Sequence, residues 1–121
     1  MLAASFSTSS MQAEESANWR EVSRNSRGPV FVDTRSLRRD GHRFTIRSRA
    51  DLTQALDNGT KTMFASFQFD CRARTVMLLD IHFLAADGST VAQSEVPSDQ
   101  RRVEPVPSSA PNHAVLQLYC E

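Results

Sequence analysis

Apolar and polar residues alternate along most of this chain in short runs separated by turn residues, the pattern of a β-rich domain. The clearest run is Met63 to Cys71. Met63, Ala65, Phe67, Phe69 and Cys71 alternate with Phe64, Ser66, Gln68 and Asp70, which predicts a strand with Cys71 at the end of its buried face. Residues 43–49 are equally two-faced, with Phe44 and Ile46 on one side and Arg43, Thr45, Arg47 and Arg49 on the other. Asp40-Gly41 just before them is a hairpin turn signal. Val30-Phe31-Val32-Asp33 has the β-branched and aromatic composition of a strand. Residues 19–24 alternate loosely until Asn25-Ser26-Arg27-Gly28-Pro29 breaks the pattern.

Residues 75–85 predict a further strand, with Met77, Leu79, Ile81 and Phe83 on one face and Asp80 and His82 interrupting the other. Asp87-Gly88 turns the chain, and residues 90–96 read as a weaker edge strand closed by Pro97. Residues 50–60 predict either a helical turn or a long loop ending at Asn58-Gly59.

The C-terminal stretch has a different period. Residues 101–107 read as an extended connector. Ser108 or Ser109 can cap a helix, Pro111 suits its first turn, and no breaker follows before Cys120. Ala114, Val115, Leu116, Leu118, Tyr119 and Cys120 cover most of that helix, leaving His113 and Gln117 on a narrow polar side. A helix this apolar must lie on something, and an apolar sheet face is the partner at hand. The expected fold is α+β: a single antiparallel β-sheet of about six strands with the C-terminal helix packed on its concave face.

Length adds that the 121 residues support one domain. We assign residues 18–121 to it. Residues 1–17 are rich in Ser, Ala and Thr and read as a signal-peptide remnant or a flexible N-terminal segment. There is no transmembrane run of 18 apolar residues. Net charge is zero, with 14 basic and 14 acidic residues, so nothing pulls the whole chain toward nucleic acid or membrane. All the basic residues except Lys61 are Arg.

The two cysteines are either a bridge or two buried thiols. Cys71 ends a buried strand face and Cys120 ends a buried helix, so the two have reason to meet if the helix packs there. Their loop of about 50 residues would contribute roughly 4 kcal/mol as a disulfide.

Trp19, the run from Asp33 to His42 (Asp-Thr-Arg-Ser-Leu-Arg-Arg-Asp-Gly-His), Phe69-Asp70-Cys71 and Cys120 together resemble the surface-adhesin protein E family, over residues 19–120. The resemblance implies an exported protein of a Gram-negative bacterium, placed in the periplasm or on the outer surface. It also implies a Cys71–Cys120 disulfide tying helix to sheet, host matrix proteins or a polyanionic glycan as ligand, and a homodimer. The best-known member of the family is a lipoprotein, whose acylated Cys has no counterpart here, and the binding segments attributed to that member have no close match.

No phosphate-cradling loop, nucleophile elbow or paired CxxC occurs. His42, His82 and His113 fall on a turn, a strand and a helix, so we expect no metal site, no cofactor and no catalytic residues. The remaining signal is electrostatic. Residues 20–49 hold nine Arg against Glu21, Asp33 and Asp40. Arg38, Arg39, Arg43, Arg47 and Arg49 enter one hairpin and form a candidate anion-binding set. The plainer reading is a solvated face balanced in space by Asp80, Asp87 and Glu95. Nucleic acid is not an expected partner, since no aromatic stacking platform is evident beside the Arg. The alternative function is a periplasmic structural or inhibitor-like protein that engages a bacterial protein through a sheet edge.

Overall fold

The computed structural model describes residues 17–120. The expectation for residues 1–17 therefore falls, but for its last residue, outside the described residues.

Six strands run in simple meander order: β1 (Trp19–Asn25), β2 (Gly28–Asp40), β3 (Arg43–Asp51), β4 (Thr60–Asp70), β5 (Thr75–Ala85) and β6 (Thr90–Glu95). Each pairs antiparallel with the next. A short seventh strand, β7 (Val103–Pro105), pairs with Thr75–Met77 of β5, on the same side that β6 occupies further along. The chain then closes with α1 (Pro111–Tyr119). The single antiparallel sheet, the terminal helix and the disulfide are as the sequence pattern predicts. The extended connector contributes a strand that the pattern did not single out. A 3-10 turn, Ser98–Gln100, lies between β6 and β7.

Tight turns make this meander possible. Gly41 opens the two-residue β2–β3 loop at φ 64°, the left-handed conformation that a type II′ hairpin needs in its first position. Gly28 is stricter. Its φ is 130°, and any Cβ would collide with the backbone carbonyl of Asp51. Residues 50–60 form a loop after Asp51, with no helix. Thr53 fastens it by donating its backbone N–H to the Arg27 carbonyl at 2.9 Å.

The core lies between the sheet and α1. Val32, Phe44, Ile46 and Phe69 from three strands meet Val115 and Leu116 of the helix, all essentially inaccessible to solvent. Phe44 stacks on Phe69 with ring centroids 5.0 Å apart, and Tyr119 tilts over Phe44 at 5.6 Å. Gln117 is exposed, as its place on the polar side of the helix predicts. The helix cap differs from expectation: Ala110, not Ser108 or Ser109, takes the N-cap position without a side-chain cap bond, and Pro111 follows it.

Two irregularities re-aim side chains. In β5, Asp80 faces Ser66 while Leu78 faces Phe67, so Leu79 is an extra residue. The bulge shifts the alternation by one. Val76 and Leu78 therefore share the helix side with Ile81 and Phe83, and Met77 turns to the other side. The expected row of Met77, Leu79, Ile81 and Phe83 is broken for this reason. In β2, the pairing jumps from Asp33–Arg47 to Arg38–Thr45, leaving residues 34–37 opposite Ile46 alone. Ser36 holds this wide bulge: its Oγ donates to the Asp33 carbonyl at 2.7 Å and accepts from the Arg47 N–H at 2.8 Å.

Candidate functional site

The helix covers one face of the sheet, and the opposite face carries the charge. Cross-strand register places Arg38, Arg43, Thr45, Arg47, Arg49 and Asp51 on that open face, because each is paired or alternates away from buried Phe44, Ile46 and Ser48. Trp19, Phe31, Phe64 and His82 share it through the pairs Trp19–Asp33, Phe31–Arg49, Phe64–Arg49 and Phe64–His82.

Aromatic rings and guanidinium groups interleave there. The Arg49 guanidinium lies 4.3 Å from the centroid of Phe31 and 4.8 Å from that of Trp19. Arg47 lies 5.1 Å from Phe64. Trp19 and Phe64 are themselves in contact, with centroids 5.8 Å apart. Such stacking orients the cations and shields their flat faces. An aromatic platform thus exists beside the Arg, which the strand pattern alone did not reveal.

The acids that answer these arginines are one neighbour in the same strand and one across strands. Arg49 binds Asp51 through two parallel hydrogen bonds of 3.1 Å. Arg43 donates its Nε–H to Asp70 at 3.4 Å. Asp70 also accepts the backbone N–H groups of Ala73 and Arg72, each at 2.9 Å, and has His42 Nε2 at 3.5 Å. The Ala73 and Arg72 hydrogen bonds, with the nearby His42 and Arg43, hold its carboxyl below the usual carboxylate range. Asp33 is a turn-builder as well, its Oδ1 accepting from the N–H groups of Asn18 and Arg35.

The five arginines of the candidate set do not stay together. Arg38, Arg43, Arg47 and Arg49 share the open face. Arg39 sits on the helix side, opposite Phe44, with its guanidinium 5.6 Å from that ring and an Nη2 bond of 2.7 Å to the Tyr119 carbonyl. Consecutive strand residues point opposite ways, so Arg38 and Arg39 separate by necessity. Arg38 donates to the carbonyls of Arg35 and Leu37.

Cys71 and Cys120 form the disulfide, with Cα atoms 5.4 Å apart and a sequence separation of 49. It lies at the far end of α1, against the core cluster, not on the arginine face. His42, His82 and His113 remain apart. His82 Nε2 contacts Thr90 Oγ1 at 3.1 Å. Among the described residues no His, Cys, Asp and Glu side chains gather into a metal-holding group. An apolar recess of about 360 Å³ opens near the start of α1, lined by Pro29, Val30, Leu56, Met63 and Pro111 among others. Arg27 and Asp51 also line it, and none of the five candidate arginines does.

The fold and this face together define a class: a display scaffold, in which one sheet is backed by a covalently fastened helix and offers its other face outward. The chain belongs to the surface-adhesin protein E family, whose model matches residues 19–121. It is accordingly an adhesin-type surface protein, of a family of adhesins and not of enzymes. Solved structures of Haemophilus influenzae protein E share the fold. One has a TM-score of 0.60 at 13% identity, over 87% of this chain and 84% of that one. A second crystal form gives 0.62 at 10% identity, over 84% and 86%. Protein E from a non-typeable strain gives 0.59 at 10%, over 84% and 74%. No curated protein matches the sequence. No helix among the described residues is long and apolar enough to cross a membrane.

Proposed function

We propose that this chain is an exported binding protein, on the outer surface or in the periplasm, that uses its open sheet face to hold a polyanionic glycan or a host matrix protein. The observation that carries the reading is the co-facial row of Arg38, Arg43, Arg47 and Arg49 beside Trp19, Phe31 and Phe64. Guanidinium groups pair with sulfate and carboxylate in bidentate fashion, and aromatic rings pack against sugar and peptide surfaces. Arg39 is left out because it lies on the helix side of the sheet, opposite Phe44. The disulfide supports export, since such bonds persist in oxidising compartments.

Immobilised heparin is the test. Wild-type protein is expected to be retained at low salt and released by a salt gradient, as ion pairing with a polyanion requires. Arg38→Ala with Arg43→Ala, both exposed positions, should elute earlier, and Arg39→Ala should not. Flow-through of wild type at low salt, or equal elution of all three, would overturn the reading.

A protein partner is the second reading. Asp51 and Asp70 already meet Arg49 and Arg43, so the face presents rings and mixed charge, the make-up of a protein interface.

A further inference from the structure

The two edges of the sheet are not alike. On one side β6 and β7 share the border of β5, with Pro97 between them, Pro105 ending β7 and Pro107 just beyond. Proline cannot donate to an added strand, so this border resists extension from Pro97 onward. Strand β6 itself, Thr90–Glu95, has no proline and carries Glu95 as its one charged residue, which disfavours an acidic strand. On the other side β1 runs seven residues, Trp-Arg-Glu-Val-Ser-Arg-Asn, with no proline and no lysine.

Hydrogen-bond alternation shows which groups of β1 face outward. Thr34 donates to the Asn18 carbonyl, so Asn18–Thr34 is a hydrogen-bonded pair, and the next pair, Trp19–Asp33, is not. Arg20–Val32 is then bonded and Glu21–Phe31 is not. Beyond the irregularity at Val22 the register resumes, and Arg24 faces Pro29, which has no N–H to give. The backbone N–H and C=O groups of Trp19, Glu21 and Arg24 therefore point away from β2. Among the described residues no strand pairs with them. Among the described residues, exposed Arg20, Arg24 and Arg27 stand around these groups with Glu21, which holds Arg24 through two hydrogen bonds of 2.9 Å and leaves Arg20 and Arg27 as the surplus.

We propose that the outer edge of β1 is a second binding site, which takes an extended, acidic segment of a partner protein as an added antiparallel strand. The backbone of Trp19, Glu21 and Arg24 supplies the ladder, and the surplus of arginines selects acidic side chains. The site is separate from the arginine face and stands or falls without it. Addition of a strand satisfies main-chain groups that solvent otherwise holds, while side-chain charge decides the partner.

Residue-resolved amide hydrogen exchange on the full chain tests this. The probes are two synthetic peptides of alternating Val/Thr, one with Glu and one with Lys at the charged positions. The N–H groups of Trp19, Glu21 and Arg24 are expected to exchange rapidly in the dilute protein. The acidic peptide should slow them at least tenfold and leave β6 unchanged, and the basic peptide should not. Arg24→Pro removes one outward donor, so it should cut the protection at Trp19 and Glu21 with the same peptide. Protection that the two peptides produce equally, protection at β6 instead, or slow exchange at these amides without peptide would each overturn the proposal. Protection that rises with protein concentration alone would overturn it too, by assigning the edge to a second copy.

Discussion

The Arg39 guanidinium donates to the Tyr119 carbonyl at 2.7 Å, across 80 residues of sequence, and caps the end of α1 one residue before the disulfide. The last carbonyls of a helix lack partners within it and carry partial negative charge, so a cation there is favoured. Helix and sheet are thus fastened twice at one point, once covalently and once by an ion–dipole contact.

Arg39→Ala should lower stability by about 1 kcal/mol, the scale of one exposed charge-assisted hydrogen bond. Urea unfolding checks it. Arg39→Lys should restore part of the loss, since a cation remains near the carbonyl.

Removing the bridge is expected to cost more. In the chain-entropy model a loop of this length contributes roughly 4 kcal/mol. Cys71→Ser with Cys120→Ser should shift the denaturation midpoint accordingly, and wild type under reducing agent should behave like the double variant.

The core makes a similar demand on packing. Leu116 is fully buried between Val32, Phe44, Ile46 and Phe69. Leu116→Ala should destabilise by about 2–5 kcal/mol, through lost burial and the cavity left behind. Calorimetry or denaturant unfolding measures it directly.

Gly28→Ala should be among the most damaging single changes. The new methyl would overlap the Asp51 carbonyl, and a φ of 130° is closed to L-residues. Soluble yield and far-ultraviolet dichroism report the outcome, and Ala at Gly88, where nothing crowds the site, serves as comparison.

Asp70 sets part of the acid response. Its folded pKa lies below the ordinary value of 3.8, so the charged form is stabilised by folding. That contribution is complete well above pH 3.8 and disappears as pH falls through the folded pKa. The stability gap between wild type and Asp70→Asn should be widest near neutrality and narrow below about pH 3.8.

How much of this could be read from residue order depends on the residue. The two faces of β3, the Asp40-Gly41 hairpin and the meeting of Cys71 with Cys120 follow from local period and turn chemistry. The Leu79 bulge does not, because it is a property of how β4 and β5 align, and either phase of that apolar run is equally plausible in isolation. Strand β7 was hidden for a like reason: Val-Glu-Pro gains its pairing from Thr75–Met77 and not from its own propensity. Of the acids that meet the arginines, Asp70 is adjacent to Arg43 only through register, whereas Asp51 stands two residues after Arg49 on the same face of β3 and was legible from period-two alternation. The split of Arg38 from Arg39 was visible in principle from period-two alternation.

The central claim is that an oxidised clasp holds α1 on one face and leaves the arginine face outward, in a protein that resides outside the reducing cytoplasm. Thiol titration of protein purified from its native cells, denatured without reductant and with thiols blocked at lysis, tests it most directly. The account predicts no free thiol before reduction and two after it. Two free thiols in the unreduced sample would contradict it.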